Sequence, residues 1–118
     1  MRKLFLFAVS ALLFCGCCGN CEKKDGKLRL NVSLTVSPEN RAALMDNLLQ
    51  LAEASRAEDG CIGYEIYENS RDSSRVIIIE TWESQSALDA HQQTEHFRLR
   101  APLNGELASD SELLKMPF

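Results

Sequence analysis

His91 is one of only two histidines in the chain, and imidazole is the side chain suited to exchanging a proton near neutral pH. It lies three residues after Leu88 in a stretch of helical periodicity, so both should share the sheet-facing side of that helix. There His91 would act as a general base towards a phenol or an enol, or else serve as a buried structural histidine. His96 follows five positions later, about 140° round a regular helix, so the two rings should not share a pocket. It reads as a surface or helix-end residue. Glu80 and Trp82 stand two apart on one strand and hence on one face. An indole offers a flat wall for stacking, and a carboxyl group desolvated beside it becomes a second candidate base. The plainer readings are a core tryptophan and a glutamate paired with an arginine. Tyr64 would orient a substrate oxygen or simply fill the core, and Asn31 faces either a pocket or solvent.

Positioning these residues needs a sheet and two helices. Leu28, Leu30, Val32, Leu34 and Val36 alternate with polar residues, the period of a strand with one covered face. Ser37-Pro38 predicts a helix start, and Leu44, Leu48, Leu51 and Ala52 recur at helical spacing to about Ala57. Residues 61–68 and 75–83 read as strands joined by the polar loop 69–74, hence as an antiparallel hairpin, with Ile62, Tyr64 and Ile66 on one face. Ser84 or Ser86 caps a second helix expected to run to about Arg100 and to break at Pro102. Leu103 to Ala108 would add a helical turn and Leu113 to Phe118 a last short strand. The order β-α-β-β-α-β predicts an α+β, ferredoxin-like domain over residues 28–118, with helices on one face of an antiparallel sheet. In the third strand Val76 and Ile78 point one way, and Ile77 and Ile79 the other. A strand apolar on both sides needs both covered, which predicts a homodimer packed sheet to sheet.

The N-terminus reads as an export signal. Arg2 and Lys3 precede an apolar run from Leu4 to Phe14, about half the length a membrane-spanning helix needs. Cys15, Cys17, Cys18 and Cys21 crowd just after it. Bacterial lipoproteins carry such a cysteine behind a small residue, and Cys17 after Gly16 fits best. The expected layout is a signal peptide over 1–16, then a lipidated Cys17 and a polar tether over 17–27. That places the domain at the bacterial cell envelope on a lipid anchor. Simple cleavage or a metal knot of these cysteines are the rival readings, and no second cysteine cluster completes a zinc site. Cys61 alone falls inside the domain, as a small strand residue or a reactive thiol. Removing Arg2 and Lys3 from a chain of net charge −4 leaves −6, which argues against nucleic acid as a partner.

The segments DGCIGYEIY, IIIETWES and ALDAHQQTEHF, in this order and spacing, resemble the signature of the antibiotic biosynthesis monooxygenase family of dimeric α+β barrels. The motifs span residues 59–97. The resemblance implies a cofactor-independent monooxygenase acting on a quinol or similar electron-rich aromatic, with O₂ as co-substrate. In that frame His91 or Glu80 is the base, Trp82 and Tyr64 contact substrate, and no metal or other cofactor is required. Haem-degrading relatives carry a ligand histidine where this chain reads Arg98-Leu99-Arg100-Ala101-Pro102. That leaves His91 and His96 as the only imidazoles to which such a role could have moved. Fold alone does not choose the chemistry. A small-molecule isomerase using the same residues without oxygen, and a non-catalytic envelope binding module, are the alternatives. No Gly-rich phosphate loop and no Gly-x-Ser-x-Gly element is present.

Overall fold

A computed structural model describes residues 26–118. The signal peptide read over 1–16, Cys17, and all of the tether but residues 26 and 27 lie outside the described residues. The elements are β1 (Leu28–Val36), α1 (Pro38–Arg56), β2 (Cys61–Glu68), β3 (Arg75–Trp82), α2 (Gln85–Gln93), α3 (Glu95–Leu107) and β4 (Ala108–Pro117). The strands lie in the order β2-β3-β1-β4, and every neighbouring pair is antiparallel. This is the α+β ferredoxin-like arrangement. The main chain closes on itself at one corner, where the Phe118 amide donates to the Lys27 carbonyl at 2.9 Å.

Alternation in β1 does what its period requires. Leu28, Leu30, Leu34 and Val36 are buried and pack with Leu44, Leu48 and Leu51 of α1 and with Val76, Ile78 and Trp82 of β3. In β2 the alternation is interrupted. Cys61 pairs with Trp82 and Gly63 with Thr81, so Ile62 is the extra residue of a bulge and is exposed. Cys61 and not Ile62 therefore joins Tyr64 on the covered side, because one inserted residue reverses the facing of everything before it.

The helical region also departs from the expected single rod. The break falls at Thr94, whose backbone is extended at φ −67° and ψ 152°. Its hydroxyl donates to the His91 carbonyl at 2.6 Å and accepts from the Phe97 amide at 3.3 Å, ending α2 and starting α3 with one side chain. Pro102, by contrast, sits inside α3, which continues to Leu107. Buried Asn47 of α1 braces that stretch, donating to the Arg100 carbonyl at 2.9 Å and to Asn104 Oδ1 at 2.7 Å. Its own Oδ1 accepts from Arg100 Nη1 at 3.0 Å, so no polar group of this side chain is left unpaired.

The other sheet face carries Ile77 and Ile79 of β3, both half-buried, with Tyr67 and Leu114 exposed beside them. None of the described helices covers it.

The corner between α1 and β2 is pinned to α2. Gly60 accepts from the Glu83 amide at 3.0 Å, and a Cβ placed on Gly60 would stand 2.4 Å from the Cβ of Ala87. Neither of those atoms belongs to a flexible side-chain end, so the backbone itself must give way. Gly60→Ala should therefore destabilise the domain by about 1–3 kcal/mol. Adding Ala87→Gly should recover part of the loss, less the roughly 1 kcal/mol that glycine costs in a helix. Urea unfolding of the single and double variants checks this, and an unaffected single variant would contradict the close approach.

Candidate active site

Between the sheet and helices α1 and α3 lies a cavity of about 160 Å³, lined by Val32, Leu34, Leu51, Tyr64, Ile78, Glu80, Phe97, Ala101 and Asn104. The alternation of β1 and β3 supplies its apolar floor, and the register that pairs Tyr64 with Glu80 sets those two polar groups side by side. Glu80 is 6% exposed and its Oε2 accepts from Trp82 Nε1 at 2.9 Å. Burial pushes its carboxyl up to about 7 against the lowering effect of that indole N–H, and the charge of Glu58 adds to the rise. Tyr64 is buried, and desolvation first, then Glu80, drives its phenol far above the ordinary range. It therefore stays protonated and can only donate or accept hydrogen bonds. Burial also raises the Cys61 thiol, to about 11, which leaves little thiolate for nucleophilic work.

His91 and Trp82 do not line this cavity. Their rings pack on each other with centroids 4.5 Å apart, and the Phe97 ring stands edge-on to His91 at 4.9 Å. Phe97 reaches both groups, since it also forms cavity wall. His91 is 1% exposed; desolvation lowers its pKa more than Glu58 raises it, and His96 lowers it further. Its Nδ1 lies 2.6 Å from Glu58 Oε1, and its Nε2 is buried with no hydrogen-bond partner. A neutral ring that donates Nδ1–H to a carboxylate carries its lone pair on Nε2.

Glu58 also receives His96, with Nε2 2.6 Å from the same Oε1. The kink at Thr94 explains why two histidines that a regular helix would separate converge on one oxygen. Of the four residues that sequence reasoning assigned to one pocket, the structure sets Tyr64 and Glu80 on the cavity wall and leaves Trp82 and His91 packed on each other behind it, because the indole turns its N–H to Glu80 and covers its other side with the imidazole. Sequence reasoning placed His96 outside and missed Glu58 altogether. Glu58 follows the last helical turn beside Asp59-Gly60, where an acidic residue reads as ordinary surface. The one available signal was the spacing Thr94-Glu95-His96, in which threonine can cap a new helix.

The family described as "Antibiotic biosynthesis monooxygenase" matches residues 28–99. A Bacillus subtilis (strain 168) protein named "Putative monooxygenase YcnE" is 30% identical over 89 residues, covering 75% of this chain and 87% of that one. A solved protein of Bacteroides thetaiotaomicron, described as a conserved protein of unknown function, superposes with a TM-score of 0.77 at 34% identity. That match covers 80% of this chain and 99% of the other. The structure of Rv0793 from Mycobacterium tuberculosis superposes with a TM-score of 0.74 at 26% identity, covering 79% and 95% of the two chains.

The raised carboxyl has a thermodynamic signature. Glu80 binds its proton more tightly folded, at about 7, than its ordinary value of 4.5. Between those values the folded state holds more protons, so stability must fall as pH rises through that window. Glu80→Gln keeps an acceptor for Trp82 and removes the ionisation. The wild type should lose stability relative to this variant by on the order of 3 kcal/mol between pH 4 and pH 8. Chemical denaturation across that range measures it, and parallel pH profiles for the two proteins would refute it.

Proposed function

The chain belongs to the antibiotic biosynthesis monooxygenase family, and from that premise we propose that it is a cofactor-independent monooxygenase of small electron-rich aromatics such as quinols. The observation that carries this reading is Glu80, a carboxyl group on the wall of an apolar cavity whose pKa of about 7 suits it to accept a proton at neutral pH. In the proposed reaction the quinol O–H breaks and the proton moves to Glu80. The electron-rich anion reduces O₂, a ring C–O bond forms, and the O–O bond then breaks. One oxygen atom stays on the ring and the other leaves as water, so quinol and O₂ give hydroxyquinone and water. Tyr64 donates a hydrogen bond to a substrate oxygen. His91 acts at one remove: it packs on Trp82 and holds the indole so that its N–H reaches Glu80.

Cavity volume narrows the substrate. Benzene occupies an engineered apolar cavity of about 150 Å³, so a space of about 160 Å³ suits one ring. A two-ring quinol needs Phe97 to move. Oxygen uptake with methylhydroquinone should exceed that with menadiol, and Glu80→Gln should lower kcat by about 10²–10⁴-fold. Uptake no faster than the buffer blank across both quinols would count against the oxygenase. Turnover without oxygen would instead favour an isomerase.

We further read the chain as an envelope protein anchored through Cys17, on the strength of the Arg2-Lys3 start, the apolar run and the Gly16-Cys17 junction. A second copy is read as covering the open sheet face. Half-buried Ile77 and Ile79 favour this, as does Asn31, whose Oδ1 is buried there without a donor. Cys17→Ser should shift the protein out of the membrane fraction. Ile79→Arg should halve the mass of the detergent-extracted protein in sedimentation; an unchanged mass would remove the dimer.

A further inference from the structure

We propose that Glu58, His91 and His96 form a binding site for a divalent first-row transition metal ion of the Zn²⁺ and Co²⁺ class. One donor atom from each residue lies within 4.8 Å of the others. Two imidazole nitrogens and a carboxylate oxygen are the donors such borderline ions select, and they discriminate against Mg²⁺ and Ca²⁺, which take oxygen ligands. The residues come from separate parts of the chain. Glu58 follows α1, His91 lies in the last turn of α2, and His96 in the first turn of α3. Thr94 lets the last two meet.

Access and shielding are graded in the way a loadable site needs. The side chains of His91, Glu58 and His96 are 1%, 16% and 25% exposed. His96 also borders an open cleft with Ala54, Ala57 and Arg100, which gives an ion its route. As the cluster stands, both rings hydrogen-bond to Glu58 Oε1 at 2.6 Å. Ligands at about 2.0–2.1 Å in tetrahedral array lie roughly 3.3 Å apart, so loading asks each nitrogen to draw back from Glu58 Oε1 by less than an ångström, while the whole donor set already lies within 4.8 Å. Each ring must also present a lone pair where it now shares a proton. For His91 this moves the proton from Nδ1 to Nε2, a tautomer exchange with no change of charge. Three protein ligands leave a fourth position for water. Bound there, the ion would tie the corner before β2 to the α2–α3 junction. The site shares His91 with the packing that holds Trp82 but does not include Glu80, and the proposal does not rest on the oxygenase reading.

Titration of the full chain with Co²⁺ tests it, after the thiols of Cys15, Cys17, Cys18 and Cys21 have been alkylated under native conditions so that they cannot compete. Visible absorption should report saturable binding of one equivalent, and Zn²⁺ should displace it and raise the Tm. Glu58→Gln and His96→Ala, at the two partly exposed ligands, should each weaken binding by about tenfold or more. Their circular dichroism should be unchanged, and the Zn²⁺-dependent rise in Tm should vanish. Absence of saturable Co²⁺ uptake, or equal affinity in His96→Ala, would overturn the site and leave a hydrogen-bonded corner only.

Discussion

Burying a carboxyl group under a helical layer is the constraint around which this domain is arranged. A charged carboxylate taken out of water costs several kcal/mol, and a protein either pairs it or lets it hold its proton. Glu80, with its carboxyl raised to about 7, takes the second course below neutral pH and gives up its proton as pH rises through neutrality. Its carboxyl accepts from the indole N–H of Trp82, which favours the charged form without outweighing desolvation. Trp82 must then sit fully buried and correctly rotated, and it is the His91 ring against it that fills the remaining space. His91 in turn is held by Glu58, so the carboxyl in the cavity and the carboxylate near the surface are the two ends of one packed column.

Much of this was legible from the residues. Period-two alternation from Leu28 to Val36 matched both the limits and the facing of β1, and the polar loop at 69–74, Asn-Ser-Arg-Asp-Ser-Ser, bounded the hairpin. That loop folds through its own side chains, with Asn69 Oδ1 accepting two amides and Asp72 Oδ1 another. Covered faces write themselves into hydrophobic period. The facing of Glu80, Trp82 and Tyr64 was readable for the same reason, since period two settles the side each takes wherever the register is unbroken, as it is along β3 and from Gly63 onward in β2.

The missed features share a different cause. A bulge at Ile62, the cap at Thr94 and the brace at Asn47 each depend on one polar or inserted residue whose role is decided by what arrives from elsewhere in the chain. Threonine within a helical stretch carries no mark of whether its hydroxyl will cap, and Asn47 lies 53 and 57 positions from the groups it binds. Proline was the stronger local signal for a break, yet α3 runs through Pro102. Tertiary contacts there outweighed local propensity. Glu58 was invisible because its two partners are 33 and 38 residues away, across a kink that periodicity did not predict.

The contact between Lys27 and Phe118 has an architectural consequence. Because β4 lies alongside β1 and the two ends of the domain share a hydrogen bond, anything attached at either end departs from the same corner. A linker of a few residues would join them without disturbing the sheet, so the chain could be reopened in the exposed 69–74 loop and keep its core. The same geometry means that a bulky fusion at Phe118 would crowd whatever holds Lys27, while the cavity-bearing layer would be left clear.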